Sequence, residues 1–547
     1  DGTITYSMAG EALTGFLKNR IGLCVLHPMA FAGGPCVVEH VDGRVEEGAF
    51  PQHIAPHQPF LEIRAIRHRV AEGVWADVRL KGDTFEMEDQ RNWTDASFKT
   101  YSTPLAHPFP VAIAPGTRVE QSLTLTFSGA PAPTPRGEEA AANEPPVTVA
   151  IGEPRGRLPR LGLGVAEHDR PLRPEEIERL RALSLGHLYV ELIPSAPDCI
   201  ATLRRAWAEA SALDVPLLVA LVLGNQPDAD LGRLLRALGE IRPRVAEWLV
   251  FGKGEPATTA SLADLARRHL AAYDPGVPVG GGSRTHFTEL NRNRPPETAL
   301  DLIAYGITPQ VHAFDNASLV ETLATQPVTV ESARQFAGGR PIAIAPVTLK
   351  QRLNPAATGG EPPPPPGALP RRVDPRQMSL LGAGWTLGSI AALARAGVAS
   401  ATYYETSGWL GVMETEEGAP LPAAFRSVPG GVYPLYHVFR AVGAFAGGEV
   451  LETAVGDPLR VQALALRKEN ATRVLIANVG SEKTEVALRG LPGERAALHR
   501  LDATNAEAAM AAPEAHWQAV PEDVEIDEGE ARLVLPPYGL AWLEIAH

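Results

Sequence analysis

Cysteine is scarce: Cys24, Cys36 and Cys199 are the three thiols in 547 residues. Three cysteines cannot build a disulfide framework, and the twelve-residue spacing of Cys24 and Cys36 fits neither a zinc ribbon nor a redox motif, so all three are expected as thiols. Long apolar runs are missing too. The longest, around 215–223, is far short of the ~18 residues of a membrane span and reads as a buried strand. No charged-then-apolar signal opens the chain, so the sequons at Asn92, Asn316 and Asn470 read as chance matches and a cytoplasmic location is expected. The chain opens at Asp1 in a strand-like stretch, so its first domain is expected to continue upstream. A basic excess is also lacking. With 50 basic and 64 acidic side chains the net charge is −14, which disfavours nucleic acid and anionic membranes as partners. A small-molecule partner is what remains, and the sequence carries no signal of an oligomeric state.

What is present is a globular composition, 45% hydrophobic and 21% charged, long enough for two to four domains. Three segments follow from its rhythm. Residues 1–155 carry short apolar runs punctuated by Gly, Pro and Asp, as in an N-terminal β-sandwich, and end in a Pro-, Ala- and Glu-rich linker at 130–146. Residues 156–440 alternate strand-like runs with amphipathic helical stretches. The runs are 161–166, 187–192, 216–223, 247–252, 277–281, 302–307, 342–348 and 399–405. Eight such repeats over about 280 residues are the arithmetic of a (β/α)8 TIM barrel. A doubly wound sheet is the alternative, but Gly162-Leu-Gly164-Val-Ala-Glu167 breaks the dinucleotide fingerprint at its last position. The proline run at 362–366, between strand seven and its helix, reads as a rigid solvated loop. Residues 441–547 return to β character and fit a C-terminal β-sandwich.

In a barrel the chemistry gathers at the carboxyl ends of the strands. There the chain places Glu191 at the end of strand two, Glu255 after strand four, and His286, Glu289, Asn291 and Arg292 after strand five. His312 and Asp315 follow strand six, Lys350 follows strand seven, and Tyr404, Glu405 and Trp409 close strand eight. Carboxylates at several strand ends suit hydrolysis by proton exchange. Glu255, between Gly254 and Pro256, is the expected proton donor. Glu405 is the expected second carboxylate, with Glu289 competing for that role, and the remaining residues would bind substrate. Strand seven ends Pro346-Val-Thr-Leu-Lys350 without an acid, which departs from many retaining barrel glycosidases. His286, Glu289, His312 and Asp315 lack a recognised metal-ligand spacing, so no metal is expected. No G-x-S-x-G elbow occurs, which argues against a serine hydrolase.

The densest polar stretch is Phe85-Glu-Met-Glu-Asp-Gln-Arg-Asn-Trp-Thr-Asp-Ala-Ser-Phe-Lys-Thr-Tyr101. Its charges need partners if buried. It reads either as a carbohydrate or docking contact, or as a hydrogen-bond network inside the sandwich.

This stretch, with Thr103-Pro-Leu105 after it, resembles the signature of the D-apionate lactonase family. So do Arg20-Ile-Gly-Leu-Cys-Val-Leu-His-Pro28, Val38-Glu-His-Val-Asp-Gly43, Phe287-Thr-Glu-Leu-Asn-Arg292 and Val311-His-Ala-Phe-Asp-Asn316. The resemblance covers essentially the whole chain. It implies a β domain, a barrel and a second β domain, a start further upstream, and hydrolysis of D-apionolactone to D-apionate in apiose catabolism. The alternative is a glycoside hydrolase that turns the same carboxylates on a pentose-containing glycoside. A flattened lactone carbon resembles the oxocarbenium-like state of glycoside cleavage. In the expected mechanism Glu405 or Glu289 activates water, His286, His312 or Lys350 steadies the oxyanion, and Glu255 protonates the ring oxygen. No cofactor is required.

Overall fold

The computed structural model describes residues 2–129, 145–168, 170–296, 299–355 and 363–546. The linker expected at 130–146 falls outside them up to residue 144, as does Pro362 of the proline run. The chain divides into two compact units, 1–144 and 145–547.

The first unit is built from β-strands. A six-stranded sheet runs in the order Thr3–Glu11, Arg118–Gly129, Val74–Lys81, Ile63–Ala71, Pro35–His40, Val45–Ala49. A three-stranded sheet joins Cys24–Pro28, Ser97–Tyr101 and Glu86–Asp89. Val38, Ile63, Ile66, Phe85, Met87 and Phe98 share one core cluster. The polar stretch 85–101 folds into that unit as a hydrogen-bonded network. Arg91 grips Asp89 through two parallel bonds of 2.8 Å, with both side chains essentially sealed from solvent. Its guanidinium also donates to the carbonyls of Pro51 (2.7 Å) and Gln52 (3.2 Å), and stacks 4.4 Å over the Phe98 ring. Asp89 accepts in turn from the Ala55 amide at 2.9 Å, and Tyr101 donates its hydroxyl proton to Glu86. The network staples the loop 51–55 to the core, which satisfies the charges that the sequence left unassigned.

The second unit holds a closed eight-stranded parallel barrel and a nine-stranded sheet. The barrel strands are β1 (Arg160–Gly164), β2 (His187–Leu192), β3 (Leu217–Leu223), β4 (Val245–Gly252), β5 (Val279–Gly282), β6 (Ile303–Ile307), β7 (Ile342–Val347) and β8 (Ser400–Glu405). Helices pack on the outside, so the strands are apolar on both faces; all seven residues of β3 are buried. Tyr189, Leu218, Ala220, Leu249, Phe251, Leu302, Ala304, Ala343 and Ala345 form one cluster of buried residues. Each large side chain in it contributes about 1.5–3 kcal/mol by leaving water.

The nine-stranded sheet corrects a boundary. The strand Val147–Arg157, assigned to the first domain on sequence, pairs antiparallel with Glu449–Val455 and parallel with Thr484–Arg489. It therefore belongs to the C-terminal β domain. Val147, Val149 and Ile151 pack into that domain's core beside Val461, Val474 and Leu543. Local alternation reveals a strand but not its partner, because strand pairing is a tertiary choice.

Candidate active site

The carboxyl ends of the barrel strands open on a cavity of about 460 Å³. Its wall includes Glu191 after Tyr189 on β2, Arg284 after β5, Lys350 and Arg352 after β7, and Glu405 at the end of β8. Glu167, Arg372, Gln377 and the helix Cys199–Leu213, through Cys199, Thr202 and Arg205, complete it.

Glu405 reaches this cavity through a break in strand alternation. Against β1, Leu163 pairs with Tyr403 but Gly164 pairs with Glu405, so Tyr404 is an extra, bulged residue. Its φ of 41° lies in the left-handed region. Strict alternation would send Tyr403 and Tyr404 to opposite faces. Instead both hydroxyls end on the helix Leu380–Arg395: Tyr403 on Ser389 at 2.9 Å, Tyr404 on Thr386 at 2.8 Å. The bulge thus turns Glu405 inward, a known use of bulges beside active sites. Gly164 leaves the space for it, since a Cβ there would sit 2.7 Å from the Tyr404 carbonyl oxygen. Burial pushes the Glu405 carboxyl up to about 7, with Glu167 adding to the rise and Arg372 and Arg352 opposing it. Such a group exchanges protons near neutrality.

Glu191 has the opposite environment. Arg284 clasps it with both arms of its fork, Nε at 2.9 Å and Nη2 on the other oxygen. Arg352 adds Nη1 and Nη2, each at 3.1 Å. Burial alone would raise this carboxyl, but the Arg284 hydrogen bond and the charges of Arg352 and Arg284 outweigh it and hold it at about 2. Glu191 is therefore held in its anionic form by two guanidinium groups at the cavity wall. Arg372 pairs with Glu167 at 3.0 Å, whereas Lys350 makes no ion pair among the described residues. Cys199, although on the wall, is a poor nucleophile, because burial pushes its thiol up to about 11. All three cysteines are free.

The structure brings Glu191, Lys350, Tyr404 and Glu405 together on this wall and leaves the other sequence candidates off it. Glu255 is exposed; a turn with its amide on the Gly252 carbonyl (3.1 Å) folds its carboxylate back over Gly252. Glu289 caps the helix Phe287–Arg292, accepting from the His286 amide (3.1 Å) and the Thr285 hydroxyl (2.8 Å). His286 is buried and lines a narrow crevice beside the cavity, its Nε2 at 3.0 Å from the Gln351 amide group. Asn291 accepts from Arg294 at 3.0 Å, and Arg292 is half-buried on the same helix. His312 and Asp315 are exposed, with Asp315 capping the helix Asn316–Glu321. The Tyr404 ring is buried against Phe439, and Trp409 is half-buried without facing the cavity. Arg284 and Arg372 were passed over in sequence reasoning, and Arg352, which follows Lys350 after strand seven, was given no role there. A signal for them existed: a carboxylate ending an otherwise apolar strand, as Glu191 does, demands a cation from a neighbouring loop.

Residues 1–130 match the D-apionate lactonase N-terminal domain, 161–447 its TIM barrel domain and 458–543 its C-terminal immunoglobulin-like domain. The chain belongs to the D-apionate lactonase family. A D-apionate lactonase of Brucella anthropi is 31% identical over 502 residues, which cover 89% of this chain and 80% of that protein. Among solved structures, an arabinofuranosidase superposes with a TM-score of 0.52 at 13% identity, over 73% of this chain and 99% of its own. The α-L-arabinofuranosidase of Thermotoga maritima, in complex with arabinose, gives 0.51 at 13% identity, over 74% and 100%. At such identities the likeness to these glycosidases is one of fold alone. No helix among the described residues is long and apolar enough to cross a membrane.

Proposed function

We propose that this chain is a lactone hydrolase that opens D-apionolactone to D-apionate, with Glu405 as its single proton-transfer group. Membership of the D-apionate lactonase family supports the reaction, and the contrast between Glu405 and Glu191 supports the mechanism. Glu405, ionised, takes a proton from water as the water oxygen attacks the lactone carbonyl carbon. The tetrahedral oxyanion faces the Lys350 ammonium and the guanidinium of Arg352. The intermediate collapses, the bond from carbonyl carbon to ring oxygen breaks, and Glu405 returns its proton to that oxygen. The new carboxylic acid ionises, so each turnover releases one proton to solvent.

The observation that carries this reading is a wall that holds two carboxyls of unlike surroundings: Glu405 at the end of β8, and Glu191 with both oxygens taken by Arg284 and Arg352. Glycoside cleavage by paired carboxyls needs a proton-donating acid and a second, ionised carboxylate with an oxygen free to attack the sugar or to activate water. Both oxygens of Glu191 are already taken by Arg284 and Arg352, so neither is free to attack a sugar carbon or to activate water, which favours the lactone over the glycoside. Acid release in a pH-stat from D-apionolactone and related aldonolactones, run beside chromogenic pentofuranosides, is the test. The expected result is acid from lactone above the spontaneous rate and no chromophore. Chromophore release without lactone opening would overturn the proposal.

A further inference from the structure

The reacting carbon of a lactone is the carbon that becomes the product's carboxylate. On the mechanism proposed above, the cations that steady the oxyanion therefore face the carboxylate once the ring is open. The wall is rich in them. Arg284 and Arg352 share one anion, Glu191, which leaves one positive charge in surplus. Lys350 adds another, without an ion-pair partner among the described residues, while Arg372 is balanced by Glu167. Asp198 and Arg205 on the same wall offset each other, so the surplus is one charge while Glu405 is ionised and two once it is protonated, in a chain of net charge −14. A neutral lactone makes little use of it; an aldonate anion matches it.

Glu405 stands on the same wall. The charged groups around it are Glu167 from the loop after β1, Glu191 on β2, Asp198 and Arg205 at the cap and in the body of the helix Cys199–Leu213, Arg284 after β5, Lys350 and Arg352 after β7, and Arg372. An arriving carboxylate cannot sit beside an ionised Glu405 without repulsion, and two carboxyl groups sharing a site retain a proton between them.

We infer that the cavity retains its aldonate product together with one proton on Glu405, so that product inhibition is proton-linked and tightens as pH falls. This inference rests on the lactonase reading, since that reading puts an aldonate in the cavity. It makes the enzyme self-limiting wherever sugar acid accumulates and pH drops. Because the free Glu405 carboxyl is raised to about 7, it is largely ionised at pH 8 and largely protonated at pH 6. Aldonate affinity should then fall about tenfold per pH unit above 7.

The test is calorimetric titration of the full chain with sodium D-apionate, at pH 8 in Tris and in HEPES and at pH 6 in MES and in Bis-Tris, buffer pairs whose different ionisation enthalpies report proton uptake. Erythritol is the neutral control, and lactone hydrolysis is assayed on the same preparation. Wild type should take up close to one proton per aldonate at pH 8 and close to none at pH 6. Glu405→Gln should bind aldonate with no uptake and no such pH dependence. Lys350→Met, checked for folding by circular dichroism, should bind about tenfold or more weakly at both pH values. Absence of aldonate binding in a preparation that opens the lactone would overturn the inference, as would proton uptake that survives Glu405→Gln, or erythritol binding as tightly as aldonate. Proton-linked aldonate binding in a preparation that opens no lactone would instead uphold the site and refute the lactonase reading.

Discussion

The carbonyl oxygen of Tyr404 lies 2.7 Å from the point where a side chain on Gly164 would begin. The two strands approach that closely because β8 bulges at Tyr404, and the bulge is what carries Glu405 into the cavity. Gly164→Ala should therefore displace main chain rather than a flexible side chain. Overpacking of this kind costs about 1–3 kcal/mol. A shift of about 1 Å at the reacting group costs up to ~10²-fold in rate. The expected outcome is a folded variant with kcat lowered roughly 10- to 100-fold, measured by pH-stat beside a thermal melt.

Glu191 makes a separate prediction about stability. Its carboxyl is held at about 2, below the usual ~4.3, so the folded state favours the ionised form. The stabilisation is fully present above about pH 5 and is lost as pH falls through about 2. At ~1.4 kcal/mol per unit it amounts to about 3 kcal/mol. Urea unfolding at pH 7 and pH 3 should show about 2 kcal/mol of that loss in wild type, the rest falling below pH 3, and Glu191→Gln should lower stability at pH 7 while flattening the difference.

How much of this was legible in the sequence differs by level. The barrel was, because each of its strands is an apolar run between amphipathic helices, and Glu191 and Glu405 stood out as acids closing such runs. The facing of a strand-end residue was not. Glu405 ends its strand and Glu255 follows one, but a turn at Gly252–Gly254, with Gly254 at φ 79°, folds Glu255 away, while a left-handed Tyr404 turns Glu405 in. Backbone sign at one residue leaves no trace in a periodicity argument. The arginines that hold Glu191 come from loops 93 and 161 residues further along the chain, a distance over which only the fold decides contact.

From that contrast comes a prediction for Glu255. Since its carboxylate folds over Gly252 and does not line the cavity, Glu255→Gln should leave kcat/KM for the lactone within about threefold of wild type. A loss of the ~10²-fold expected of a general acid would return Glu255 to the mechanism.

The buried pair of the first unit predicts a purely structural defect. Asp89 and Arg91 have side chains about 0% and 1% exposed, so removing one charge strands the other. Asp89→Asn should cost about 3–5 kcal/mol, seen as a lowered melting transition of the N-terminal unit. Wild-type stability in that variant would show that the pair is dispensable.

The most direct test of the central claim is the pH dependence of kcat/KM for lactone opening in wild type and Glu405→Gln. If Glu405 is the base, the wild-type rate rises about tenfold per pH unit up to about 7 and then levels, because the ionised form does the work. Glu405→Gln should lower the plateau by ~10²-fold or more and erase the inflection. An inflection near 7 that persists in Glu405→Gln, at a rate close to wild type, would contradict the account.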